Sequence, residues 1–84
     1  MRLIMIYREK SEQRAAAEVF LHDFKYQTGH DIETLDPDTP AGQTFIVAHD
    51  IVEYPTLIAL GPDGTELTKW RGTLPTISEA SAYN

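Results

Sequence analysis

Few residues in this 84-residue chain have types that could do chemistry: Ser11 with Arg14, three histidines, three turn aspartates and the pair His49-Asp50. Ser11 follows an apolar run and opens a helical pattern, a corner where free backbone N–H groups and a positive dipole end attract anions. A serine hydroxyl needs an adjacent base before it can attack anything, and no histidine is near in sequence. Arg14 is a donor only and cannot serve as that base. His22, His30 and His49 have spacings of eight and nineteen, which match no zinc pattern, so we read them as surface residues. Asp36, Asp38 and Asp63 lack the regular spacing and following Glu of a calcium loop, and suit turns and caps. Adjacent residues such as His49-Asp50 at a helix end read as capping groups. Gly61-Pro62-Asp63-Gly64 reads as a hairpin tip rather than a phosphate loop. With no cysteine anywhere, thiolate catalysis, iron–sulfur clusters and cysteine-ligated zinc are excluded. We expect no enzyme activity, no metal and no cofactor.

The elements that would have to position these groups form one domain, residues 1–84, because a chain this short has room for a single core. A composition of 42% hydrophobic and 24% charged residues is that of an ordinary globular protein. The net charge of −6, with seven scattered Lys and Arg, argues against nucleic acid and anionic membrane surfaces as partners. No run approaches the ~20 apolar residues of a membrane span. Met1-Arg2 leads straight into a short apolar run, so no signal peptide is expected; with no disulfides, the expected setting is the cytoplasm.

Leu3 to Tyr7 is a continuous apolar run and predicts a strand buried on both faces. Arg8-Glu9-Lys10 is a corner, and Ser11 is the expected N-cap with Glu12 and Gln13 in the first turn of a helix reaching Thr28. Its apolar stripe is read as Ala16, Phe20 and Phe24, with Ala17 and Leu21 beside them, and Gly29 closes it. A strand is expected at Asp31–Leu35. Asp36 to Pro40 is a turn, from which Asp38 or Thr39 caps a short helix starting at Pro40 or Ala41 and ending at His49. A strand at Thr56–Leu60 is followed by the hairpin tip and a return strand from Thr65 to about Arg71, on which Trp70 is read first as a core cover and second as an exposed contact aromatic. Thr76-Ile77-Ser78-Glu79 fits a capping box opening a last helix through Tyr83.

The order β-α-β, short helix, β-β-α predicts an α/β fold, a mixed sheet of about four strands with flanking helices. Together with Ile51 to Leu57, the Pro55-Thr56 pair, Gly64 at the hairpin tip and Gly72 after the return strand, it resembles the thioredoxin and glutaredoxin superfamily. The resemblance implies a cis bond before Pro55, which would leave the backbone of Tyr54 free to pair with an extended ligand. It also places the family's Cys-x-x-Cys within Ser11-Glu12-Gln13-Arg14, where neither cysteine is present.

The implied member is therefore redox-inactive. Its expected role is a binding or scaffolding module that holds an unidentified protein or peptide partner in a groove formed by Ser11, Glu12, Arg14, Tyr54, Pro55 and Thr56. A glutathione-like small molecule on the same edge, with Arg14 or Lys10 as counter-charge, is the alternative. A structural subunit or homodimer, joined through a sheet edge or Trp70, is the third.

Overall fold

A computed structural model of the chain describes residues 2–83. In chain order the elements are β1 (Arg2–Ile6), α1 (Gln13–Thr28), β2 (Glu33–Leu35), α2 (Pro40–Ala48), β3 (Thr56–Leu60), β4 (Glu66–Arg71) and α3 (Ile77–Ser81). The strands form one sheet in the order β2-β1-β3-β4. β1 runs parallel to β2 and antiparallel to β3, and β4 returns antiparallel beside β3. This is the mixed four-stranded sheet that the sequence implies.

The two inner strands are apolar on both faces because a core lies on each side. On one face, Leu3, Met5 and Tyr7 of the β1 region meet Leu57 and Ala59 of β3 under Ala17, Phe20 and Phe24 of α1. On the other, Ile4 and Ile6 meet Ile58 and Leu60 with Ile51, beneath Phe45 and Ile46 of α2. Period-two alternation along β1 and β3 thus feeds two cores. Phe24 and Leu57 are fully buried, and each contributes roughly 1.5–3 kcal/mol by leaving water.

The helix stripe is rotated from the expected one. Ala17, Phe20 and Phe24 are buried, whereas Ala16 is exposed. Three consecutive alanines leave the stripe undefined at its start, and packing against the sheet selects Ala17. β2 is shorter than expected because residues 29–31 are held as a loop: the His30 N–H donates to Thr28 Oγ1, and Lys25 Nζ reaches Asp31 at 3.0 Å. α3 also ends early, at Ser81. Beyond it the Tyr83 N–H bonds the Ala80 carbonyl, and the Tyr83 ring stands edge-on to Trp70 with centroids 5.6 Å apart. Of Asp38 and Thr39 it is Thr39 that caps α2, and the capping box expected at Thr76 is made.

Candidate functional site

The candidate groove lies where the C-terminal end of β1 meets the segment leading into β3. The Tyr54–Pro55 peptide bond is cis. Thr56, fully buried, turns its hydroxyl back to the Glu53 carbonyl at 2.6 Å, and Gly72 donates its N–H to the Pro55 carbonyl at 2.9 Å. The segment is thereby fixed on both sides of Tyr54. Among the described residues, no intramolecular hydrogen bond reaches the main-chain N–H or C=O of Tyr54 itself. Gly72 has φ +77°, and a Cβ there would stand 2.9 Å from Glu53 Oε2, so the glycine allows this close approach.

Arg8 stands against Tyr54 at this candidate site. Its guanidinium lies over the Tyr54 ring, 4.7 Å from the centroid, while its Nε donates to Asp38 Oδ1 at 3.2 Å. The same turn before α2 reaches back to the corner, where the Glu9 N–H donates to Asp36 Oδ2 at 3.4 Å. The β1–β3 register explains the meeting: Ile6 pairs with Thr56, so two further steps in opposite directions set Arg8 across from Tyr54.

The corner before α1 is built differently from the sequence expectation. Ser11 is not the N-cap. Glu12 holds that position with helical angles, φ −66° and ψ −23°, and caps nothing with its side chain. No acidic residue sits in the first turn, since Glu12 precedes it. The Ser11 hydroxyl instead donates to the Arg8 carbonyl at 2.6 Å, and the Arg14 N–H closes a turn onto the Ser11 carbonyl at 3.3 Å. The hydroxyl thus bonds backwards to the chain and not forwards to an N–H of α1. Arg14 pairs with Glu18, Nε to Oε1 at 3.0 Å, one turn along the helix. Its N–H thus ties the helix to the corner, while its guanidinium is taken up on the helix.

Solved structures with the same fold match this chain. Thioredoxin 1 from the thermophilic eubacterium Thermosipho africanus TCF52B superposes with a TM-score of 0.69 at 18% identity, over 99% of this chain and 89% of that one. The fold is that of thioredoxin. A structure described as a malarial protein matches at 0.68 and 14% identity, over 96% and 89% of the two chains. No family model and no curated protein sequence matches the chain.

In this thioredoxin-like chain, the stretch that the resemblance equates with the two cysteines begins at Ser11, whose hydroxyl closes a turn, and ends at Arg14, whose charge is spent on Glu18. Neither is arranged for nucleophilic chemistry. Tyr7 packs in the α1-side core, and burial foremost, aided by Glu18 and Glu9, pushes its phenol up from its ordinary value. His49 caps the end of α2, with Nδ1 3.4 Å from Glu66 Oε2 and its carbonyl accepting from Lys69 Nζ at 2.8 Å. The next residue, Asp50, has φ +53°. Among the described residues, no group of three or more His, Cys, Asp or Glu could hold a metal ion. Trp70 is half-buried against the α1-side core, as expected. No described helix is long and apolar enough to cross a membrane.

Arg8 is the residue that sequence reasoning missed. It looked like one charge of a polar corner, and only the non-local register of β1 against β3 brings it to Tyr54.

Proposed function

We propose that this chain is a redox-inactive thioredoxin-like binding module, not an enzyme, which pairs an extended segment of a partner protein along Tyr54. The observation that carries this reading is the unpartnered main-chain N–H and C=O of Tyr54, presented by a segment held on either side by Thr56 and Gly72. An extended peptide satisfies both groups at once, and main-chain pairing of this kind supplies affinity without regard to sequence. Selectivity then comes from the flanking surface, chiefly the Tyr54 ring with Arg8 on it, with Ser11 bonded to the Arg8 carbonyl and Pro55 beside the ring. Absence of cysteine leaves no thiol for disulfide exchange and fits a reducing compartment such as the cytoplasm.

The glutathione-like alternative draws less support. Of the two counter-charges it would draw on, Arg14 is engaged by Glu18, which leaves Lys10 alone at the corner. A structural subunit or homodimer joined through a sheet edge or Trp70 has no observation in its favour.

The test is selection from a displayed library of random extended peptides, followed by affinity measurement with wild type and a folded Tyr54→Asp variant. Peptides held by wild type and lost by Tyr54→Asp support the reading. Selected peptides that bind both proteins equally contradict it, and saturable glutathione binding near Ser11 and Tyr54 would replace it.

A further inference from the structure

On the side of α1 away from Tyr54's groove, the surface is apolar where most exposed helix faces are charged. Ala15, Ala16, Val19 and Phe20 line an open groove of about 450 Å³, with Leu74 and Ile77 forming the opposite wall. Val19 is 61% exposed although it sits in the centre of this surface. The residues that line it come from α1, α3 and Leu74 just before α3, and none from a strand. A docked segment must therefore bind by side chains alone, which is how an amphipathic helix lies in a groove.

The charges around the groove decide what kind of helix. Glu12, just before α1, already has helical angles, and at 100° per residue Glu12, Ala16, Val19 and Asp23 follow one line. Glu12 and Asp23 stand at its two ends, eleven residues and about 16 Å apart. Neither is paired with Lys or Arg among the described residues, and Asp23 has only the His22 ring nitrogen, at 3.5 Å. The two cations of α1 lie on its other side: Arg14 is held by Glu18 and Lys25 by Asp31.

A second copy of this chain makes a poor occupant. Of its seven Lys and Arg, Arg2, Arg8, Arg14, Lys25 and Lys69 are engaged in ion pairs. Lys10 and Arg71 remain, and neither lies on a helix. The chain also carries −6 and repels itself.

We infer that the α1–α3 groove docks a basic amphipathic helix of a partner protein, with an apolar ridge over Val19 and one cation against each of Glu12 and Asp23. This surface is separate from the Tyr54 groove and does not depend on it. The complementary spacing is two Lys or Arg about eleven residues apart, flanking apolar residues at every third or fourth position.

The test uses three labelled peptides of about 18 residues, long enough to hold helix across three turns. One carries a leucine ridge with two Lys eleven positions apart, the second has Glu at those positions, and the third permutes the first to destroy the ridge. Binding is read by fluorescence anisotropy with wild type, Val19→Asp and the double variant Glu12→Lys, Asp23→Lys, each checked for fold by circular dichroism. The Lys peptide binds wild type saturably, and Val19→Asp weakens it by about tenfold or more, as for an interface hot spot. The double variant prefers the Glu peptide. No binding of the Lys peptide, binding no tighter than the permuted one, or indifference to both variants overturns the proposal. A dimer of the free chain that Val19→Asp dissociates in sedimentation overturns it in favour of a second copy.

Discussion

The Arg8 guanidinium carbon lies 4.7 Å from the centre of the Tyr54 ring, so a single cation joins the end of β1 to the residue at the candidate groove. The same side chain holds Asp38 in the turn before α2. Three segments distant in sequence thus meet at one residue.

Replacing Arg8 by Ala should lower stability by about 1 kcal/mol, nearly all of it from the contact with Tyr54. A cation over an aromatic ring at a partly exposed site is worth about 0.5–1 kcal/mol. The Asp38 pair is roughly half exposed and screened, so Asp38→Asn alone should cost less than about 0.5 kcal/mol. Urea unfolding of the two variants separates the contributions, and equal losses would show that the ion pair had been undervalued.

Gly42→Ala should be the most damaging small substitution in the chain. A Cβ at this position runs into the Asp36 carbonyl and the Pro37 Cα, both backbone atoms that cannot turn aside. The turn before α2 would have to move, and overpacking of this kind costs about 1–3 kcal/mol or more. Gly29→Ala is the control: nothing lies within 4 Å of its Cβ, and only its φ of +77° resists substitution. That cost should be about 1 kcal/mol. The urea midpoint should therefore fall further for Gly42→Ala.

Stability should decline in acid through two surface carboxyls. The Thr76 main-chain N–H, then its hydroxyl, holds Glu79 below its ordinary 4.5. The Thr65 side chain and main chain hold Asp63 below 3.8. Folding depresses both values, so the unfolded chain binds more protons in this range and stability rises with pH. Their contribution is complete above the unfolded values and is lost as pH falls through the folded ones. Urea midpoints between about pH 5 and pH 3 should drop less steeply in a Glu79→Gln, Asp63→Asn double variant than in wild type.

What the sequence revealed was local or periodic. The runs Leu3–Tyr7 and Thr56–Leu60 announce strands covered on both faces, and Thr39 and Thr76 cap helices three residues away with their own oxygens. Ser11 misled because a serine before a helix can bond forwards or backwards, and this one bonds back to the Arg8 carbonyl. Ala15 to Ala17 could not orient the stripe, since each alanine is equally apolar. Arg8 against Tyr54, and Val19 against Leu74 and Ile77, depend on strand register and helix packing across the chain. No local pattern records those relations. The candidate groove was legible through a family resemblance, but its principal side chain was not.

The central claim is that Tyr54 offers its main chain to an extended ligand. Amide hydrogen exchange at Tyr54, followed by NMR with and without a peptide selected against wild type, tests it directly. The account predicts an exposed, fast-exchanging Tyr54 N–H that becomes protected when the peptide binds. A peptide that saturates the protein while Tyr54 exchange stays unchanged would contradict it.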